Sequence, residues 1–405
     1  MRILSITAQK PDSTGSGVYM TELIKNWQKQ GHEQAAVAGV YIEDKVQFPE
    51  GVCFYPVYFH SDVLPFSIAG MSDEMPYEST RYRDFDETML GQFSMAFQNV
   101  VDKAVREFAP DVIICHHLYL LCALVREWYP DRLVFAVSHG SDLRQISKND
   151  MKREFIKSKI RALDGIFALQ ETHKEDIVRI FGVNEDKIKI AGVGYNQEIF
   201  YAGRQERKED QYTIAYAGKI SKKKGVESLL RAVEKLPYPP ERVTLKLAGG
   251  AGNEIEYEKI RSIAENQTYR TEFLGVLSQE RLAELFRKSH VFVLPSFFEG
   301  LALVNLEAMA CGCQVVSSNT PGMKAWYDSH VPGHEISFVE LPRMKNTDDP
   351  YPEDLPEFEE EIARAITEKL ENRTARKVDL EKCSWRAVAE YIVEEIQKKR
   401  EKACL

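Results

Sequence analysis

Four apolar residues, Val291-Phe292-Val293-Leu294, run through Pro295-Ser296 into F-F-E-G-L-A-L-V-N-L-E-A-M-A-C-G. The apolar run reads as a buried strand, and Pro295 and Ser296 end it. From Leu303 the apolar positions Leu303, Leu306 and Ala310 fall at helical spacing with one buried face. Gly312 is placed as the left-handed residue that stops the helix. A second β-branched run follows at residues 314–317. The spacing predicts a strand–loop–helix–strand unit of a parallel sheet, hence an α/β fold.

Two carboxylates stand out in this unit. Glu299 lies in the loop, and Glu307 is the one charge on an otherwise apolar helix. A lone acid there either faces solvent or faces a ligand, and its apolar neighbours Leu306, Ala308 and Met309 favour the ligand. Eight positions along a continuous helix span about 12 Å. The acid pair of a glycoside hydrolase stands about 5–9.5 Å apart. The spacing therefore favours two acids that grip different parts of one long ligand.

At 405 residues the chain has room for two or three domains. A net charge of −9 argues against a nucleic-acid partner. No apolar run approaches the roughly 20 residues of a membrane span, which leaves peripheral membrane contact open. M-R-I-L-S-I-T reads as a first strand rather than a leader. Seven cysteines, an odd number without a C-x-x-C pair, read as reduced thiols and a cytoplasmic location.

Strands are predicted at Arg2–Thr7 and at residues 35–42, 52–59, 111–115, 133–137, 164–169 and 187–191, with helices at 18–30 and 100–108. The loop before residue 18 holds Gly15-Ser16-Gly17, which lets a phosphate or substrate approach or simply makes a flexible turn. Residues 62–86 form a long aromatic-rich stretch, read equally as an acceptor-site loop or a packed insertion. Its Asp84-Phe85-Asp86 follows no strand and reads as chance rather than a metal site. His116 and His139 sit at strand ends, where parallel α/β sheets bind ligands. No residue set has zinc-ligand spacing. Residues 203–210 read as an interdomain linker.

The α/β pattern then restarts with strands at Tyr212–Ala217 and Val243–Ala248. Between them Gly218-Lys219-Ile220-Ser221-Lys222-Lys223-Lys224-Gly225 puts four lysines at a strand-to-helix turn. They are either solvated or matched by an anion. Residues 346–361 read as an acidic surface loop and residues 385–399 as a final amphipathic helix.

E-G-L-A-L-V-N-L-E-A-M-A-C-G resembles the E-x7-E signature of the retaining nucleotide-sugar glycosyltransferases of family 4. G-K-x-x-x-x-K-G, F-L-G-V-L and H-G-S-D resemble further elements of the same family, in the same order. The chain departs from it at Leu301-Ala302, at Gln314 and at Lys219, where Phe-Gly, Pro and Arg are commoner. The resemblance implies the GT-B fold, two Rossmann-like domains facing across a cleft. They would comprise residues 1–197, with 386–405 crossing back as a helix, and residues 198–385. The first would take the acceptor and the second the donor.

The resemblance also implies roles. Glu299 would hold the donor sugar and Glu307 the ribose, with the backbone of Ala302, Leu303 and Val304 facing the diphosphate. Lys219 and Lys224 would bind the diphosphate, Leu277 would meet the base, and Gly17 would line the donor site. His139 would contact the sugar near its reacting carbon, and His116, less securely matched, is assigned to the acceptor. The implied reaction transfers a hexosyl or N-acetylhexosaminyl group to a hydroxyl with retained configuration. UDP-sugar is favoured over GDP-sugar, and no metal or other cofactor is expected. A sugar-nucleotide epimerase, a sugar phosphorylase and a non-catalytic sugar-nucleotide sensor remain as alternatives.

Overall fold

The computed structural model describes residues 1–11, 13–72, 75–203, 210–372 and 378–403. Most of the expected 203–210 linker lies outside these residues. The chain divides into two compact units, Met1–Val193 with Trp385–Leu405, and Gly194–Ser384.

The first unit is built on β1 (Arg2–Thr7), β2 (Glu33–Val40), β3 (Cys53–Tyr58), the two-residue β4 (Ala69–Gly70) and β5 (Thr80–Arg81), β6 (Val112–His116), β7 (Val134–Val137), β8 (Gly165–Ala168) and β9 (Ile188–Ile190). Seven of these form one parallel sheet in the order β3-β2-β1-β6-β7-β8-β9, while β4 and β5 pair separately. Helices α1 (Gly15–Lys29), α2 (Glu87–Phe108), α3 (Leu120–Trp128), α4 (Ser141–Lys148), α5 (Arg153–Arg161) and α6 (Glu171–Phe181) accompany it. The central strands are buried along their length, as β-branched runs covered on both faces must be.

Two helices extend beyond the sequence expectation, each because of a side-chain cap. α1 begins at Gly15 rather than residue 18, since Thr14 Oγ1 accepts from the Gly17 N–H at 3.1 Å. α2 begins at Glu87 rather than residue 100, since Asp86 accepts from the Met89 N–H at 2.8 Å. Asp84 in turn pairs with Arg81 at 2.7 Å, so both aspartates of the D-x-D have structural partners. The aromatic stretch before α2 packs inward: Phe59, Phe66, Tyr82, Phe85 and Phe93 stack edge-on or tilted at centroid distances of 5.3–6.5 Å. It is a packed insertion, held by the core it enters.

The second unit repeats the architecture with β10 (Tyr212–Ala217), β11 (Val243–Ala248), β12 (Arg270–Gly275), β13 (Val291–Leu294), β14 (Gln314–Ser318) and β15 (Ser337–Val339), all parallel, in the order β12-β11-β10-β13-β14-β15. Its helices are α7 (Val226–Val233), α8 (Glu254–Glu265), α9 (Gln279–Lys288), α10 (Leu303–Ala310), α11 (Met323–His330) and α12 (Leu355–Glu371). α12 corrects the expectation of a loop to residue 361. Pro356 sits in its first turn, where no intrahelical N–H is required, so proline starts this helix rather than preventing it.

The last helix, α13 (Trp385–Ala403), belongs to the first unit and packs on α1. The fully buried Trp27 of α1 donates its indole N–H to the Ala389 carbonyl at 2.9 Å, and Trp385 meets Tyr19 edge-on at 4.9 Å. No helix among the described residues is long and apolar enough to cross a membrane. Trp27→Ala should destabilise the first unit by about 3–5 kcal/mol through the cavity it leaves. Trp27→Phe should cost less, about 1 kcal/mol for the hydrogen bond together with a smaller cavity term. Urea unfolding followed by far-UV circular dichroism would read both, and a Trp27→Phe variant as stable as wild type would mean that the indole N–H contributes nothing.

Candidate active site

Each sheet has one place where the strand order reverses, and there the loops leaving the two neighbouring strands part to leave a crevice. In the second sheet this falls between β10 and β13, paired through Ile214–Val291 and Ala215–Phe292. In the first it falls between β1 and β6. The loops at these four strand ends contain most of the residues singled out in the sequence.

In the second unit the lysine turn and the signature loop are fitted together by backbone. Gly225 has φ +70°, and a Cβ there would stand 2.0 Å from the Pro295 carbonyl oxygen. Only glycine allows this approach. The Phe297 N–H donates to the Lys223 carbonyl at 3.1 Å, and Phe297 packs on Phe358 of α12. A second close contact lies beside it: a Cβ on Gly249, φ +150°, would meet the Gly218 carbonyl oxygen at 1.7 Å. The buried Tyr216 hydroxyl donates to the Lys219 carbonyl at 2.7 Å. Burial, and then the Glu299 carboxylate, keep that phenol protonated.

The side chains follow from this frame. Lys224 Nζ lies 2.7 Å from Glu299 Oε1, in an ion pair shielded on most sides. Lys222 and Lys223 pair with Asp349 and Asp348 at 3.7 and 3.2 Å. Lys219 is exposed and forms no ion pair recorded among the described residues. The crowded charge is thus divided, two lysines toward acids more than a hundred residues away, Lys224 toward the signature loop and Lys219 beside Gly252 after β11.

α10 begins after Ala302, with no side-chain cap and no acid in its first turn. The Ala302 carbonyl is held by the Tyr327 hydroxyl at 3.3 Å. The N–H groups from Leu303 onward give this helix start the electrostatics that favour an anion. Glu307 is half-buried one turn on, and the buried Asn305 ties the helix to β14 through Ser317 at 3.1 Å. Leu277 is half-buried at the end of β12. Gly312, φ +83°, ends α10 as its spacing predicts.

In the first unit the strand ends gather histidines. His116 Nδ1 and His139 Nε2 share a hydrogen bond of 3.1 Å, and their rings stack at 5.4 Å. His117, with φ +75°, is 4.8 Å from His139. Asp142 is fully buried and organises the loop, accepting from the Leu118 N–H at 2.7 Å, from Ser138 Oγ at 3.1 Å and from the His139 N–H at 3.2 Å. His173 of α6 comes within 3.0 Å of where a Gly140 Cβ would stand. Gly17 has its N–H engaged by Thr14, so the start of α1 is capped from within. Sequence reasoning missed His173, Tyr216, Tyr327 and the aspartates 348 and 349. His173, Tyr327 and the two aspartates act on elements distant in sequence, and Tyr216, three residues from the Lys219 carbonyl it holds, reads only as one more apolar position of its strand.

Burial sets the charge of the histidine cluster. His116 is pushed down to about 3 by burial and then by His117. His139 is held well below its ordinary value by burial and then by the other histidines. His117 and His173 are lowered too, chiefly by burial. The cluster is neutral at pH 7, able to donate and accept hydrogen bonds without presenting a cation.

Two family models divide the chain: Glycosyltransferase Family 4 matches residues 13–198, and Glycosyl transferases group 1 matches residues 199–334. An uncharacterized glycosyltransferase of Methanocaldococcus jannaschii is 29% identical over 170 residues, 39% of this chain and 43% of that protein. A D-inositol 3-phosphate glycosyltransferase of Kribbella flavida is 27% identical over 199 residues, 44% of this chain and 46% of that protein. The matched stretch spans less than half the length of either relative.

Among solved structures, sucrose-phosphate synthase from Thermosynechococcus elongatus aligns with a TM-score of 0.68 at 17% identity over 98% of both chains. Anabaena HepE, solved with UDP and glucose, aligns at 0.63 and 15% identity over 98% of this chain and 100% of that one. The fold is GT-B. The two family-model matches adjoin and together run from residue 13 to residue 334.

The histidine cluster has a measurable signature. Below about pH 6.5 the unfolded chain takes up protons that the folded cluster refuses, so stability falls as pH falls toward 3. From about pH 7 to pH 5.5, His116 alone should cost about 1.2 kcal/mol. Urea titrations at the two pH values should show a smaller drop for His116→Gln than for wild type. Identical drops would mean that His116 takes up its proton in the folded state as readily as in the unfolded chain.

Proposed function

We propose that the protein transfers a hexosyl or N-acetylhexosaminyl group from a nucleoside-diphosphate sugar, a UDP-sugar rather than a GDP-sugar, to an acceptor hydroxyl with retained anomeric configuration. The donor binds the second unit and the acceptor the first. The observation that carries this reading is the meeting of Lys224, Glu299 and the uncapped start of α10 at the reversal point of the second sheet. Anabaena HepE, solved with UDP and glucose, supports the choice of base.

The chemistry follows from charge. As the glycosidic bond breaks, the diphosphate gains negative charge, and preorganised positive groups stabilise it most in the transition state. Lys219, Lys224 and the α10 N–H groups supply that field without a divalent metal. The partners of Asp84 and Asp86 support metal independence, since both are engaged in the fold. Glu299, already paired with Lys224, is better suited to hold the donor sugar's hydroxyls than to attack its anomeric carbon. That supports attack by the acceptor on the face the diphosphate leaves, with the departing phosphate taking the acceptor's proton. Glu307 holds the ribose, Leu277 meets the base, and the neutral His139 takes or gives a hydrogen bond near the reacting sugar.

Incubation with a panel of nucleotide sugars and hydroxyl acceptors, followed by mass spectrometry, should detect glycosylated acceptor and free UDP, undiminished by excess EDTA. Lys224→Ala should lower kcat by about 10²–10³. Lys219→Arg should retain more activity than Lys219→Ala, because arginine adds a bidentate fork. Glu307→Ala should mainly raise the donor KM, and Glu299→Ala should mainly lower kcat. Because Lys224 and Glu299 touch, the double variant should lose less than the product of the single losses. Loss of activity in EDTA with recovery in manganese, and near-normal lysine variants, would sink this mechanism.

A further inference from the structure

We propose that His116 is a positioning residue that sets the tautomer of His139. The Nδ1–H of His116 donates to Nε2 of His139, and the proton of His139 is thereby kept on Nδ1, as a hydrogen-bond donor for an oxygen of the ligand. The proposal rests on the reading that His139 lies beside the reacting sugar, and it narrows that histidine's part from giving or taking a hydrogen bond to giving one.

The bond between the two rings joins His116 Nδ1 to His139 Nε2 at 3.1 Å. A neutral imidazole has one N–H and one bare nitrogen, so one ring donates and the other accepts. Both rings are neutral at pH 7, because burial holds each well below its ordinary range. Two arrangements are left, and they differ at the far nitrogen of His116. That atom, Nε2, is buried and has no hydrogen-bond partner among the described residues. If His139 donated, His116 Nε2 would carry a buried N–H with no acceptor. If His116 donates, the same atom carries only an idle lone pair. In folded chains, orphaned buried N–H groups are rarer than under-used acceptors. That selects His116 as the donor.

The surroundings hold His139 in this bond. Its ring stacks on His116 at 5.4 Å and 15°, meets Tyr19 edge-on at 5.2 Å, and has His117 at 4.8 Å. Asp142 fixes its backbone N–H at 3.2 Å. Turning the ring over would replace Nε2 by a carbon and break the bond to His116. His139 Nδ1 has no hydrogen-bond partner among the described residues and is not walled in, since His139 is only half-buried.

What stands behind a histidine decides what its outward nitrogen can do. A carboxylate or carbonyl behind the ring accepts its N–H and leaves the outward nitrogen bare, as a base. A donor behind the ring does the reverse. The outward Nδ1 of His139 then bears the hydrogen, so the neutral ring supports an oxygen lone pair and does not take a hydroxyl proton. This agrees with the incoming hydroxyl giving its proton to the departing phosphate.

The full chain labelled with nitrogen-15 in histidine tests the assignment without ligand. Two-bond proton–nitrogen correlation at pH 7 separates protonated from bare ring nitrogens, and His139→Gln assigns the signals. His139 should show a protonated Nδ1 and a bare Nε2. In His116→Asn the amide nitrogen takes the place of Nδ1, and the tautomer of His139 should be kept. His116→Leu has no donor and should shift His139 toward a protonated Nε2. With a nucleotide sugar that the enzyme consumes, His116→Leu should lose about tenfold or more in kcat at a donor KM within about threefold, and His116→Asn should recover most of it. A proton on Nε2 of His139 in the wild type, a charged His139, or an unchanged tautomer in His116→Leu would overturn the proposal. So would equal kcat losses in the Asn and Leu variants, which packing alone would explain. The wild-type spectrum decides even where His116→Leu does not fold. A failure of the transferase reading looks different: no nucleotide sugar would be consumed and UDP would not bind, while the tautomer of His139 still followed residue 116.

Discussion

The geometry of the second unit's candidate site depends on one contact, that of Gly225 with the Pro295 carbonyl. A left-handed residue with no side chain lets the turn after β10 lie directly on the end of β13. From that approach follow the Lys223–Phe297 backbone hydrogen bond and the Lys224–Glu299 ion pair. Any side chain at residue 225 would push the turn off the strand and separate the lysine from the acid. The electrostatics of the site are therefore set by backbone packing before any charge is counted.

The two reversal points solve opposite problems. In the second unit, positive charge is concentrated; Asp348 and Asp349 neutralise Lys223 and Lys222, and Lys224 pairs with Glu299 of the signature loop. In the first unit, burial strips charge from four histidines and leaves a polar but neutral surface at the ends of β6 and β7. The departing diphosphate of the proposed reaction would be stabilised by the first kind of environment. A hydroxyl nucleophile and a sugar with developing positive character at its anomeric carbon are compatible with the second, which adds no repelling cation.

What was legible in the sequence is what local physics determines. Buried parallel strands announce themselves as short β-branched runs, as at Val291–Leu294. Gly312 marks the end of α10 because a helix stop needs φ above zero. The lysine turn and both glutamates could be located, since a motif carries its own spacing. Helix starts were harder: Thr14 and Asp86 cap α1 and α2 from inside stretches rich in glycine or aromatics, which read as loop. Pro356 hid α12 in the same way. Contacts over long separation were invisible, among them Asp348 and Asp349 on the lysine turn, His173 beside Gly140, and the packing that turns residues 62–86 into part of the core.

A structure of the protein with UDP bound tests most directly whether the second unit is built to hold a nucleoside diphosphate. The diphosphate should lie at the start of α10 within hydrogen-bonding distance of the Nζ atoms of Lys219 and Lys224, with the ribose on Glu307. A diphosphate bound instead at the start of α1 or among the histidines, with Lys224 and Glu299 left as they are without ligand, would contradict it.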